Sequence, residues 1–344
     1  MKSSLRPTSV DDLDALRQFL ARAFGLGLEA PFLDRATLAW KYWERRDDWT
    51  GPRGYILERD GAIVAHAGIW PMTFNAGAIR GVQMIDWASD KEAPGAGLAL
   101  VQKMSAMFDF MYSIGGSEMT CKVLPAFGFV EYAQEWKGVR PLRPVQQILT
   151  HQTRTWKLVP RLVRNSMWAM PQGVSPHKSW KALEILPEEV SLEFCPPSAA
   201  AANFSPRPPA FFEYLLRCPV ARFRLYGILD EGEAKGHFAV GVVRGQARIA
   251  GVWLRQPTCE AWTAAYLLAQ QTAMRMKEAC EIVAVGSEGP SRLGAVQAGF
   301  RILQGPVVYM LDKKKKLSLS PEFQFQLSDD DGAFLDTGAT AYWS

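Results

Sequence analysis

One pattern runs through this chain twice, and a duplication of this size dictates two similar folding units before any residue has a role. The first copy opens with Arg53 to Trp70 and the second with Phe223 to Val242. Each continues into a helix-like stretch, Leu98–Phe108 and Ala261–Met276, and closes on a short strand and a Gly-Phe ending, Gly128-Phe129 and Gly299-Phe300. A length of 344 residues agrees with two domains, because single hydrophobic cores stop growing at roughly 250–300 residues.

Local signals give each copy the same order of elements. In the first, Asp11, Asp12 and Asp14 suit the start of a helix through Phe24, and a second helix is expected at Leu38–Arg45. Strands are expected at 5–8, Gly54–Arg59, Ala62–Trp70, Ile79–Ala88 and Phe110–Ile114, with Asp60-Gly61 as a hairpin turn. In the second, a helix at Pro209–Leu216 precedes strands Arg224–Leu229, Ala234–Val243, Ala247–Leu254 and Ile282–Val285, with a long helix ending at Ala279. Helices alternating with hairpin strands read as a mixed α/β (α+β) fold, each domain a mostly antiparallel twisted sheet flanked by helices. The domains divide as 1–136, a connecting segment 137–200, and 201–344. Four lysines at 313–316 read as a solvated loop, and the alternation in Phe323-Gln-Phe-Gln-Leu327 suits one more strand.

Composition excludes several classes. No apolar run reaches the roughly 20 residues of a membrane span, and the first residues lack the apolar core of a secretory signal. Cysteines 121, 195, 218, 259 and 280 are odd in number and form no Cys-x-x-Cys pair, so neither a disulfide framework nor a metal site is expected. The expected location is the cytoplasm. The net charge of +4 is uneven: Lys137 to Lys181 holds nine basic residues and no acidic one, together with Trp156, Trp168 and Trp180. That segment could rest against acidic surface elsewhere in the chain. It could also make a weak contact with an anionic membrane at its inner face, or attract an anionic acceptor. No nucleic-acid module accompanies it.

The copies differ most in the loop from Asp86 to Leu100. Gly95 and Gly97 free the backbone to turn amide N–H groups inward at a helix start, an arrangement that binds phosphate oxygens. It is neither a Walker loop nor a Rossmann fingerprint. The corresponding stretch of the second copy, Trp253 to Trp262, contains no glycine. Only the first copy is therefore expected to hold a phosphate-bearing ligand.

With this loop in place, residues 1–136 resemble a GCN5-related N-acetyltransferase (GNAT) domain. The whole chain resembles tandem-domain members, including exopolysaccharide-associated and Fem-type transferases. Glu92-Ala-Pro-Gly-Ala-Gly97 matches the two small positions of the family's pyrophosphate loop but has Glu92 where Gln or Arg is usual. Pro125-Ala-Phe-Gly-Phe129 matches its Gly-Phe ending, and Leu124 stands where many members carry a proton-donating Tyr. The resemblance implies acetyl-CoA or another acyl-CoA as co-substrate, with no metal, held by Trp87, Ala88, Gly95, Ala96, Gly97 and Leu98. It implies that the backbone amides of Trp87 and Ala88 polarise the thioester, and that a small amine or amino sugar is the acceptor. Candidate acid–base residues are Asp86, at the end of an apolar strand, Glu118, just past the next strand, and Tyr132. His66 and His237 recur at matching places and read as structural. Two other functions stay open: Fem-like transfer from aminoacyl-tRNA, and a binding protein that has kept the fold without catalysis.

Overall fold

The computed structural model describes residues 3–74, 79–150, 158–170, 179–190, 194, 204–205, 207–315, 323–338 and 342–344. In the first copy β1 (Ser3–Pro7) is followed by α1 (Leu13–Phe24) and α2 (Arg35–Tyr42). Strands β2 (Gly54–Arg59), β3 (Ala62–Phe74) and β4 (Ile79–Ser89) come next, then α3 (Ala96–Met104) and β5 (Phe110–Ile114). A short α4 (Glu118–Val123) leads into β6 (Val130–Pro141). After α5 (Pro144–Leu149) and α6 (Leu158–Ala169), β7 (Trp180–Ile185) opens the second copy. It continues through α7 (Pro209–Leu216), β8 (Arg224–Asp230), β9 (Glu233–Val243) and β10 (Gln246–Leu254). It ends with α8 (Cys259–Arg275), β11 (Glu281–Gly286), α9 (Pro290–Gln297) and β12 (Arg301–Leu311).

Turn chemistry explains the hairpins. Asp60 and Gly61 both take positive φ, 51° and 81°, as a two-residue turn matched to strand twist requires, and Glu231-Gly232 repeats this at 52° and 88°. Helix α1 buries Leu16, Phe19 and Leu20, the i, i+3, i+4 stripe that faces a core.

The twelve strands of the described residues form one sheet, ordered β1-β2-β3-β4-β5-β12-β6-β11-β10-β9-β8-β7. The order is symmetric about its centre with the last strands exchanged. β12 of the second copy pairs antiparallel with β5, and β6 of the first pairs antiparallel with β11. The boundary at 136 therefore falls inside β6, and the segment 137–200 supplies both the end of that strand and all of β7. One buried cluster joins residues of both copies: Trp40 of α2 stacks on Tyr214 of α7 at 4.7 Å. The Trp40 indole donates to the Tyr214 carbonyl at 3.1 Å, and the Tyr214 hydroxyl returns a bond to the Trp40 carbonyl at 2.5 Å.

The strand expected at 323–327 does not form. Phe323–Gln326 joins no ladder, and Leu327–Asp329 is a 3-10 turn. Phe323 and Phe325 sink into a cluster with Phe74, Phe110 and Tyr112, so the alternation serves packing rather than pairing. This tail touches both copies: Phe323 packs on Phe74, Gln326 bonds Val252, Asp331 reaches Lys41, and the Leu335 carbonyl accepts from Arg248.

Candidate functional site

Each copy contains one place where parallel strands part. β4 and β5 pair only over Gly81–Gln83 with Phe110–Tyr112, and β10 and β11 only over Gln246–Arg248 with Glu281–Val283. In the first copy a bulge widens the parting. Gly68 pairs with Ile85 and His66 with Ala88, so Asp86 and Trp87 together face Ala67. Asp86 takes φ +49°, in the left-handed region that few non-glycine residues visit.

A buried polar cluster holds this bulge. Lys41, 1% exposed, places Nζ 2.5 Å from Asp86 Oδ2 and 3.6 Å from Asp331 Oδ2. The Tyr42 hydroxyl also donates to Asp86 Oδ2. Burial pulls the Lys41 pKa down, but Asp86 and Asp331 outweigh it and leave the ammonium above its usual range. Burial raises the Asp331 carboxyl to about 6 against the opposing pull of Lys41. His66 Nδ1 lies 3.1 Å from the Asp86 carbonyl oxygen, which can only accept, so Nδ1 carries the hydrogen. Burial lowers the His66 pKa to about 4, so the ring is neutral near pH 7.

The helix start beside the bulge has the shape of a cradle. Gly95, at φ +82°, caps α3 with no side chain, and a Cβ there would meet nothing within 4 Å. At Gly97 a Cβ would stand 3.1 Å from Ser89 Oγ and 3.2 Å from Trp87 Nε1. The Trp87 indole donates to the Gly97 carbonyl at 3.2 Å and fastens the helix start to the end of β4. The Ala96 amide is used by the Ala93 carbonyl, whereas Gly97 and Leu98 lie in the first turn, where no intrahelical acceptor exists. Ala96 and Gly97 are buried and Leu98 is exposed. These residues fit a pyrophosphate: fixed amides, a positive helix end, and space where a side chain would stand.

The second parting is built differently. His237 pairs with Trp253 as His66 pairs with Ala88, so Val252 occupies the place of Trp87. The Val252 amide donates to the side-chain carbonyl of Gln326 in the tail. The Phe325 amide donates to Ser287 Oγ at 3.1 Å, and Ser291 Oγ donates to Gln324 Oε1 at 2.6 Å. Thr258 Oγ1 caps α8 by accepting from the Ala261 amide at 3.2 Å. Among the described residues no side chain accepts from the Trp87 amide in this way. His237 repeats the role of His66, with Nδ1 2.7 Å from the Phe194 carbonyl and a pKa lowered to about 4 by burial.

The structure separates the residues singled out from the sequence. Asp86, Trp87, Ala88, Gly95, Ala96, Gly97 and Leu98 gather at the bulge and the adjoining helix start. Glu118 turns away: its side chain is 84% exposed and pairs with Lys122 at 2.6 Å. Tyr132 is half-buried on β6, edge-on to Phe325, and burial raises its pKa. Cys121 is half-buried. Sequence reasoning missed Lys41, Tyr42 and Asp331. A lysine on the buried face of α2, between Trp40 and Tyr42, was the signal available. Among the described residues no group of three His, Cys, Asp or Glu side chains could hold a metal ion.

No family model matches the chain, and no curated protein matches it. Solved structures do. A tandem GNAT protein from the clavulanic acid biosynthesis pathway is 11% identical, with 90% of this chain and 98% of that one covered at a TM-score of 0.59. A GCN5-related N-acetyltransferase from Anabaena variabilis is 12% identical over 90% and 72%, at 0.57. Another from Sphaerobacter thermophilus is 15% identical over 90% and 95%, at 0.51. The chain thus has the fold of a tandem GCN5-related N-acetyltransferase.

Proposed function

We propose that this protein is an acyl-CoA-dependent N-acyltransferase whose first copy alone holds the acyl donor. One observation carries the reading. In the second copy the amide at the strand parting, Val252, is bonded to an amide carbonyl from the chain's own Gln326. In the first copy the matching amide, Trp87, adjoins a helix start capped by glycine. A thioester carbonyl has the same acceptor geometry as the Gln326 carbonyl, so Trp87 N–H polarises it and the amides of Gly97 and Leu98 bind the pyrophosphate. Acyl-CoA supplies an acyl carbon activated as a thioester. The acceptor nitrogen bonds to that carbon as the C–S bond breaks; nitrogen loses one proton and sulfur gains one. Lys41 bridges the two carboxylates nearest the bulge, and Asp331, with a pKa near 6, is the one suited to take the proton at neutral pH. A small amine or amino sugar is the acceptor class.

A second reading, binding without turnover, is favoured by the commitment of the Asp86 carboxylate to Lys41 and Tyr42. Calorimetric titration with acetyl-CoA and longer acyl-CoAs separates the two. Micromolar binding at one site per chain, abolished by Gly97→Trp in a protein that still melts cooperatively, supports the proposal. Absence of binding to every acyl-CoA sinks it, and binding without acylation of any amine in a panel supports the second reading.

A further inference from the structure

The connecting helices α5 and α6 present an apolar face that nothing in the described structure covers. On α6, Val159, Val163 and Met167 follow one another at intervals of four, and Met170, just past its end, comes three residues later on the same side. Val145 and Leu149 of α5 form a second pair, and all six side chains are 58–69% exposed. The opposite side of α6 anchors it: Asn165 is fully buried and donates to Gln147 Oε1 at 2.8 Å. The stripe is therefore held facing outward by a polar lock on its back.

Charge decides what fits there. The stretch Lys137–Lys181 has nine basic residues and no acidic one. Arg140 and Arg143 donate to backbone carbonyls of Ala298 and Met276, at 3.1 and 2.9 Å. Arg164 lies 4.5 Å over the Trp168 ring, which Arg301 approaches at 5.4 Å. Among the described residues no ion pair joins Arg140, Arg143 or Arg164 to a carboxylate. Arg164 is exposed on α6 beside the stripe, so its charge faces outward with the apolar residues. A second copy of the chain would bring like charges together across the same face.

We infer that α5 and α6 dock this protein on an anionic lipid surface, the apolar stripe entering the acyl boundary and Arg164 meeting the headgroups. An outward apolar stripe flanked by Arg, with a half-buried Trp beside it, is the composition of an interfacial helix. Among the described residues no helix is long and apolar enough to cross a membrane, so this contact is peripheral.

Co-sedimentation with phosphatidylcholine vesicles, with and without phosphatidylglycerol, tests the inference. The protein is expected on the anionic vesicles and released from them by high salt. Val163→Asp combined with Met167→Asp is expected to weaken binding about tenfold or more. Arg164→Glu, which leaves the stripe intact, is expected to weaken binding about tenfold on anionic vesicles only. Both sets of positions are exposed, and unchanged melting confirms that the variants fold. Equal binding to neutral and anionic vesicles, no binding to either, or indifference to the double substitution overturns the inference. So does a dimer that the double substitution dissociates, since the stripe would then be a self-contact.

Discussion

The two strand partings are cut from the same pattern, yet the chain treats them in opposite ways. Both follow three residues of parallel pairing, and both carry a neutral buried His holding a carbonyl through Nδ1. Both entering strands carry a bulge, but beyond that point the first gains a charged cluster and a glycine-capped helix. The second gains a threonine-capped helix and a glutamine side chain on its amide. Duplication supplied two frames, and the C-terminal tail made them unequal. It satisfies the second frame with its own side chains and then delivers Asp331 to the Lys41 cluster of the first. A site in one copy is thus completed by residues from the other end of the chain.

The largest expected effect tests whether that delivery matters. Lys41→Met leaves Asp86 and Asp331 buried without their shared cation, and breaking such a pair costs about 3–5 kcal/mol. Urea unfolding measures the loss. The double variant Lys41→Met with Asp86→Asn should recover part of it, because one stranded anion is removed. A cost below about 1 kcal/mol in the single variant would mean that the bridge carries no weight.

The histidines give a test of what the copies share. Each folded pKa lies near 4, below the usual 6.5, so the unfolded chain binds more protons between those values. Their contribution to stability is full above pH 6.5 and is lost as pH falls to 4, by roughly 3 kcal/mol each. Asp331, with a pKa raised to about 6, acts in the opposite sense: its protonation favours the folded state as pH falls through 6. Buried Glu135 and Asp330, also raised, act likewise. The informative quantity is therefore a difference between proteins. His237→Asn keeps a donor for the Phe194 carbonyl and removes the titration. Between pH 7 and 4.5 it should lose less stability than the parent chain. Parallel curves would show that the His237 ring is not desolvated.

Much of this architecture is legible in the sequence because it is local. The Asp60-Gly61 turn, the helix through Phe24 and the Gly95/Gly97 pair each act within a few residues, and each lies where pattern reasoning puts it. Three things are not legible, for one reason. The exchange of β6 and β12, the tail in the second parting and the Lys41–Asp331 pair all join residues far apart in the chain. Phe323 to Leu327 shows the difficulty well. Its alternation fits a strand, but alternation only says that two sides of a segment face different surroundings. Here those surroundings are an aromatic cluster and the polar edge of a parting.

The next effect concerns the tail. Gln326→Leu leaves the Val252 amide buried and unsatisfied, a loss of about 1–3 kcal/mol visible in thermal or urea unfolding. The same variant sharpens the comparison by stoichiometry. If the capped α8 alone makes the second copy unfit for a pyrophosphate, acyl-CoA titration still finds one site per chain. Two sites would show that Gln326 was the obstacle.

The smallest effect separates the helix starts themselves. Thr258→Ala removes the side-chain cap of α8 and should cost about 1 kcal/mol, with no change in acyl-CoA affinity. Gly95→Ala has a similar cost, about 1–2 kcal/mol, but from a different cause, because alanine resists the left-handed φ of +82°. Its Cβ would stand in space where the structure shows no neighbour within 4 Å. That is the space the proposal gives to the pyrophosphate. Gly95→Ala should therefore weaken acyl-CoA binding while Thr258→Ala does not, although the two lose comparable stability. Equal affinities in the two variants would remove the distinction between the copies at this point and leave it to the Trp87 and Val252 amides alone.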